Sequence, residues 1–381
     1  MLWFLKSRFQ PKVKPMNVIT IERKTIFRNL EILQKLQPQG ELFPVLKSNA
    51  YGHGLKQMVK ILRRTDVPYL AVDSFPEYQI AKKYSNKDIL LIGETLLENY
   101  KYFDPKRVTF CVYNKWTIAT LAKLHKREVK VHLFLNTGMN REWIQEEELL
   151  YILDEIKKFP NILIEWVMSH LHSADEQSYN GVEEQITKFK KLYHMIIDSG
   201  HVPTRKHIGN SAGIVKVHDD FFNARRPGIA MYGYNPLSAD DPDFKKLKNL
   251  KPALSVTSRI ISTQIAWPGE GVGYNQRYKP YDREIMATIP FGYAEWLPRA
   301  ASGKIVFKRW RTTLKQVWTI SMNLCTCKSE NDAALSVGEK VEIISSSASD
   351  TNSLAALAQA SDTIVYECLV RLDRNMRREI V

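Results

Sequence analysis

The residues best placed to do chemistry begin with Lys47, which ends the apolar run Phe43 to Lys47 and opens a small, glycine-punctuated stretch through Gly54. A lysine at a strand end usually carries its amine out to solvent, but it is also the residue type that forms a Schiff base with a carbonyl group. Tyr51 adds a hydroxyl, and Gly52 and Gly54 let the backbone approach a ligand closely, which favours the second use. Two later loops look like anion cradles. In HIGNSAG, from His207 to Gly213, Asn210 and Ser211 precede a stretch able to open a helix, where a hydroxyl and free N–H groups attract negative charge. Arg226-Pro-Gly228-Ile229 follows as a second tight loop.

These groups act together only if the fold brings them to one place. Over 24–233, short β-rich runs alternate with stretches of helical periodicity, which predicts repeated βα units and a parallel sheet. The expected strands start at Phe43, Tyr69, Ile89, Val108, Val129, Ile164, Lys206 and Pro227, the last running to Gly233. Helices are expected over Ile26 to Leu36, Trp116 to His125, Glu146 to Phe159 and Gly181 to Ser199. Eight βα units imply an α/β fold of the closed (β/α)8, TIM-barrel type. Its active face is built from the C-terminal strand ends, and phosphate sites commonly follow strands seven and eight, where the two cradles fall. A Schiff-base lysine facing a phosphate site suggests pyridoxal 5'-phosphate. Beyond Tyr234, residues 235–251 read as a linker, and short alternating strands over Leu254 to Gln264, Glu284 to Pro290, Gln316 to Ile320 and Lys340 to Ile344 indicate a C-terminal β-rich domain. The expected division is a basic leader over 1–16, a barrel over 17–240, of which 17–23 could pair with the β domain, and the β domain over 241–381.

Composition bounds the remaining possibilities. With 381 residues, 44% hydrophobic and 25% charged, the chain is of ordinary globular type, which excludes disorder, collagen-like repeats and coiled coil. The formal net charge is +14, but the basic clusters at the leader, at Lys304 to Lys315 and at the tail are separated and carry no nucleic-acid motif, so no nucleic-acid partner is expected. Four scattered cysteines make no disulfide framework, Cys325-Thr-Cys327 lacks a zinc spacing, and no metal is expected; a reducing cytoplasm suits them. No apolar run approaches the roughly 18 residues of a membrane span.

The motifs VLKSNAYGHG, LNTGMNR, SHLHSADE, HIGNSAG, RPGIAMYG, LKPALSVTSRI, GVGYN and IPFGYAEWLPRA together resemble the alanine racemases, pyridoxal-phosphate enzymes of fold type III, from Val18 to about Arg371. That resemblance implies a barrel followed by a β domain, and a homodimer with active sites shared between subunits. It implies that Lys47 carries the cofactor, that Tyr51, Ser211, Gly228, Ile229 and Tyr366 hold it at the phosphate, and that Asn210 belongs to the cofactor-binding set. Arg226 would face the pyridine nitrogen with His207 behind it, and His170 would pack near the ring. Tyr274, in GVGYN, would be the second base and arrive from the partner subunit. Arg141 would steer the substrate carboxylate or the cofactor's phenolic oxygen, Met322 would offer its N–H, and Tyr293 would line the entrance. Racemisation needs two acid/base groups on opposite faces of the cofactor, which Lys47 and Tyr274 would supply. An arginine at the ring nitrogen keeps that nitrogen largely unprotonated and so limits side reactions.

The sequence departs from the family pattern in three places, the mildest a muted glycine-rich closing turn at Ser336-Val-Gly338. Many relatives carry a lysine, often carbamylated, two residues before an Asp-Thr-Gly-Met motif; here those positions are Phe134 and Asn136. The segment usually reading Cys-Met-Asp is Ser321-Met322-Asn323. The expected activity is interconversion of L- and D-alanine, supplying D-alanine for peptidoglycan. A racemase of broader specificity, for serine or basic amino acids, and a pyridoxal-phosphate carrier or regulatory protein are the alternatives.

Overall fold

The computed structural model describes residues 13–141, 143–330 and 333–381. Of the leader expected over 1–16, residues 1–12 lie outside the described residues. The described residues divide into two compact units, one formed by Glu22–Ala253 and the other by residues 13–21 together with Leu254–Glu379.

The first unit is a (β/α)8 barrel. Six strands, from Tyr69–Val72 through Asp88–Leu91, Val108–Val112, Val129–Phe134 and Ile162–Met168 to Arg205–His207, pair in parallel and in chain order. Tyr69–Val72 and Val108–Val112 are buried at every position, as parallel strands covered on both faces must be. Glu41–Leu42 pairs in parallel with Ala224–Arg225. The ring closes on one side where Leu46 N–H donates to Ala71 O (2.7 Å) and on the other where Asn223 N–H donates to Lys206 O (3.1 Å). Around the strands lie helices with one apolar face. Arg23–Leu36 buries Ile26, Leu30 and Leu33, and Asn180–Asp198 buries Val182, Phe189, Leu192 and Ile196. Asn29 is buried on the same face of the first helix, its carboxamide donating to the carbonyls of Met231 (3.1 Å) and Lys251 (2.8 Å), so its burial leaves no orphaned donor.

Two barrel segments differ from the expected pattern. The last strand is Ala224–Arg225 and stops before Pro227, which has no N–H to continue a ladder. Beyond it Met231, Tyr232 and Gly233 each donate to the carbonyl three residues back, and Gly233 takes φ 98° where a Cβ would lie 1.7 Å from Lys251 O. The segment 235–251 is more than a linker. Asp241 and Asp243 are buried around Lys216, whose amine lies 2.8 Å from Asp241 Oδ2 and 3.4 Å from Asp243 Oδ2.

The second unit is a nine-stranded sheet in the order Ser262–Ala266, Glu284–Ile289, Cys325–Ser329, Thr312–Gln316, Val306–Arg309, Lys340–Ile344, Leu254–Arg259, Val18–Ile21 and Arg377–Ile380. Val18–Ile21 lies antiparallel to Leu254–Arg259 and places Ile19 and Ile21 in the core of this sheet. The strand expected over Gln316 to Ile320 is displaced: it ends at Gln316, and Trp318 takes φ 41°.

Candidate active site

Lys47 sits where the first barrel segment ends. From there the chain winds into a left-handed turn, with φ of 55°, 56°, 54° and 50° at Ser48, Asn49, Ala50 and Tyr51. Each such residue costs roughly 1–2 kcal/mol relative to right-handed backbone, so four in succession must be held by their surroundings. The Asn49 carboxamide accepts from Leu55 N–H (2.8 Å), and Ala50 N–H donates to Leu46 O (2.8 Å). The Glu77 carboxylate accepts from the N–H groups of Asn49 (3.3 Å) and Asp73 (2.9 Å). Burial pushes the Glu77 carboxyl above its usual range, opposed by these N–H donors. The turn leaves Lys47 half-buried and puts the Tyr51 ring against Tyr232 (5.1 Å between centroids).

Opposite this turn the two cradle loops are tied together. Ser211 Oγ accepts from the N–H of Gly228 (2.9 Å) and of Ala230 (3.2 Å), which leaves its own proton to donate outward. Asn210 Oδ1 accepts from Gly213 N–H (2.9 Å) and shapes the loop. The expected helix is only the turn Gly213–Lys216, because Lys216 ends it by entering the pocket of Asp241 and Asp243, so hydroxyl and N–H donors, rather than a long helix, define this cradle. Gly228 is pressed against Tyr51: a Cβ there would stand 2.5 Å from Tyr51 Oη. Burial, reinforced by Asp73, pushes the Tyr51 phenol up to about 12, so it remains a proton donor at neutral pH. Ile229 is buried beside these groups. Two hydroxyls and a glycine loop that admits no side chain fit a phosphate ester.

Arg226 lies deeper. One terminal nitrogen donates to His207 Nδ1 (2.5 Å) and the other to Ser169 O (2.6 Å) and His170 Nδ1 (3.3 Å). No described carboxylate pairs with it, and burial lowers its pKa to about 10, so it remains a cation at neutral pH. Because Arg226 donates to His207 Nδ1, the proton of that neutral ring is on Nε2, which faces His132 Nδ1 at 3.3 Å. Burial and Arg226 hold His207 well below the ordinary histidine range. His170 is pushed down to about 3, chiefly by burial and further by the positive charges of Arg226, Lys47 and Arg141. Arg141 lies over the Trp143 ring, 5.3 Å from its centroid.

The other four predicted residues belong to the β unit. Tyr274 is 67% exposed on a turn where Gly273 and Asn275 take φ of 71° and 59°. Tyr293 and Met322 are exposed on neighbouring segments, joined where Tyr293 N–H donates to Ser321 O (3.1 Å) and Ala294 N–H to Met322 O (2.8 Å). Asn323 donates to Glu295 Oε1 (3.0 Å), so a carboxylate remains beside this segment although position 323 is neutral. Tyr366 lies in the helix Val365–Arg371.

Sequence reasoning missed Glu77, Ser169, His132 and Trp143. His132 was detectable: it shares strand alternation with Phe134, and both point inward. Ser169 opens the SHLHSADE motif, but it meets Arg226 through its carbonyl, which residue type does not signal, and Glu77 lies in no motif.

A barrel with a lysine, a caged arginine and a phosphate-type cradle at its strand ends, joined in one chain to a separate β unit, defines a cofactor-dependent barrel enzyme. Comparison with known proteins narrows this. Models of the alanine racemase N-terminal and C-terminal domains match residues 21–236 and 253–380, and the chain belongs to the alanine racemase family. It is 30% identical over 357 residues to alanine racemase of Geobacillus kaustophilus, covering 92% of this chain and 90% of that one. The solved alanine racemase of Clostridium difficile 630 superposes with a TM-score of 0.90 at 27% identity, covering 97% of each chain. A fold neighbour from Bartonella henselae, at 23% identity and a TM-score of 0.84, covers 97% of this chain and 100% of its own and is described with covalently bound pyridoxal phosphate.

Proposed function

We propose that this protein interconverts L- and D-alanine with pyridoxal 5'-phosphate carried on Lys47. The observation that carries the reading is the buried Arg226, bonded to His207, Ser169 and His170, together with the cradle of Tyr51, Ser211 and Gly228 at the end of the turn that Lys47 opens. When bound, pyridoxal phosphate withdraws electrons from the substrate α-carbon and makes its proton removable. Tyr51, Asn210, Ser211, Gly228, Ile229 and Tyr366 hold the phosphate. Arg226, fixed by His207 and by the carbonyl of Ser169, offers its guanidinium to the ring nitrogen without giving up a proton, and neutral His170 packs near the ring. Arg141 and the Met322 N–H receive the substrate carboxylate, and Tyr293 lines the entrance. Lys47 Nζ moves a proton at the α-carbon on one face and the Tyr274 hydroxyl on the other. The exposure of Tyr274 suits its delivery to the site of a partner subunit, so the functional particle is a homodimer. Four cysteines, all free and buried, suit a reducing cytoplasm, where D-alanine would feed peptidoglycan synthesis. Lys47→Ala should abolish both the visible absorbance of bound cofactor and the activity. Tyr274→Phe should slow α-proton removal from one enantiomer far more than from the other. A colourless wild type, or a small and symmetric effect of Tyr274→Phe, would sink the reading.

A further inference from the structure

Three of the loops at the barrel's strand ends meet a second time, outside the phosphate cradle, at a buried ion cluster. The loop after Ile162–Met168 carries His170 and runs to Tyr179, where the helix Asn180–Asp198 begins. The loop after Arg205–His207 carries Ser211 and ends in the turn Gly213–Lys216. The third follows Ala224–Arg225, carries Arg226 and Gly228, and reaches Asp241 and Asp243. On the inner side, Ser211 Oγ joins the second loop to the third through the N–H groups of Gly228 and Ala230. On the outer side, the Lys216 amine donates to Asp241 Oδ1 (3.0 Å) and stands 3.4 Å from Asp243 Oδ2. The first loop joins through Tyr179, whose hydroxyl donates to Asp243 and whose ring centroid lies 4.4 Å from the Lys216 amine. Gln177, in the same loop, donates to Asp240.

Stability alone does not call for such a cluster. The side chains of Lys216 and Asp241 are fully enclosed. Taking an ammonium and a carboxylate out of water costs about as much as their attraction returns, and an apolar pair of similar volume would hold the fold as well. What the ion pair adds is direction, because the amine's partners come from different loops and each must meet it at hydrogen-bond distance. The carboxylates are fixed in turn. Asp241 Oδ1 accepts from Asp243 N–H (2.8 Å), and Asp243 Oδ1 pairs with Lys246 (2.8 Å), so two ammonium groups balance two carboxylates. The link inward to Ser211 is short and stiff. Gly213 N–H is held by Asn210 Oδ1 (2.9 Å), and a Cβ on Gly213 would stand 2.9 Å from Leu171 Cδ1, which leaves the turn little room to slide.

We propose that the cluster of Lys216, Asp241, Asp243 and Tyr179 is a clasp that sets the spacing of the three loops and so holds Ser211 and Gly228 in register for a phosphate ester. Lys216 and Asp241 are positioning residues, acting through the backbone of the loops that carry them. The inference rests on the reading of the cradle as the phosphate site of pyridoxal phosphate.

The test replaces the ion pair by an apolar one, Lys216→Met with Asp241→Leu, which leaves Asp243 with Lys246 and Tyr179 and keeps the interior filled. Equilibrium dialysis of the full-length chain against pyridoxal phosphate, and against pyridoxal, which lacks the phosphate, separates an effect on the cradle from an effect on the fold. The expected result is a Kd for pyridoxal phosphate weaker by about 3- to 30-fold, with the Kd for pyridoxal and the melting temperature held near wild type. An unchanged Kd for pyridoxal phosphate, or a parallel loss of both affinities, would overturn the clasp. A second readout needs no cofactor. Amide hydrogen exchange at Gly228 and Ala230 should be at least about 10-fold faster in the variant, while Ala71 N–H, bonded to Pro44 O in the barrel wall, keeps its rate. Tyr179→Phe, which removes one hydroxyl and keeps the ring, should shift exchange at Gly228 and Ala230 in the same direction by less, and it decides the matter if the double variant does not fold. Wild-type protein that binds pyridoxal as tightly as pyridoxal phosphate, with exchange in the variants faster as expected, refutes the cradle reading alone, whereas unchanged exchange refutes the clasp.

Discussion

Gly228→Ala tests the phosphate cradle without touching a charged group. An added Cβ would stand 2.5 Å from Tyr51 Oη and 2.9 Å from Cζ, about 0.9 Å short of the 3.4 Å where ordinary contact begins. The ring has little room to retreat. Its centroid is 5.1 Å from that of Tyr232, which is wholly buried and whose hydroxyl donates to Val45 O (3.0 Å), and its backbone is locked in the left-handed turn. Overpacking of this kind costs about 1–3 kcal/mol. Taken from cofactor affinity, that is roughly a 5- to 150-fold weaker Kd. The assay is equilibrium dialysis of pyridoxal phosphate against wild type, Gly228→Ala, Tyr51→Phe and the double variant, with circular dichroism to confirm an intact fold. Because the clash is with Tyr51 itself, Gly228→Ala should weaken binding less in the Tyr51→Phe background than in the wild type. Wild-type affinity in Gly228→Ala, or strictly additive losses, would refute the argument that Gly228 is small in order to admit the Tyr51 hydroxyl.

Other consequences can be checked separately. Lys216 and Asp241 have fully enclosed side chains 2.8 Å apart, so Lys216→Met strands buried carboxylates and should destabilise the protein by about 3–5 kcal/mol. A drop of roughly 6–15 °C in melting temperature is expected, partly recovered by adding Asp241→Asn; no drop would contradict the pairing. Burial and Arg226 hold His132, His170 and His207 below the ordinary 6.5, His170 at about 3, so the fold keeps them neutral while the unfolded chain protonates them. Their contribution is complete above pH 6.5 and is lost as pH falls toward the folded values. Urea titrations should therefore show stability lower by about 3–4 kcal/mol at about pH 5.5 than at about pH 7, and a flat profile would show that these rings are not buried neutral.

Much of the barrel was legible because parallel strands buried on both faces are short, apolar and spaced by amphipathic helices. Tyr69–Val72 and Val108–Val112 fall at the expected residues. The failures occur where tertiary contacts override local preference. Pro227 ends a strand that its β-rich neighbours suggested, and Trp318 turns into the left-handed region in a stretch that alternates like a strand. The polar Ser-Ala-Asp-Asp-Pro-Asp segment looked like a linker because its partner, Lys216, lies 25 residues upstream of Asp241 and has no local signature. At the site, Lys47 and the two cradle loops were readable from residue type and placement after strand ends. The left-handed turn and the tautomer of His207 were not, since each depends on partners distant in sequence, such as Glu77 and Arg226.

The most direct test of the central claim is a D-amino-acid oxidase-coupled assay of the purified holoenzyme against L-alanine, L-serine, L-lysine and L-arginine. D-alanine should be the dominant product, reached also from the reverse direction with an equilibrium constant near one, and abolished in Lys47→Ala. No D-alanine from active, cofactor-loaded protein, or a kcat/KM higher for serine or a basic amino acid than for alanine, would contradict it.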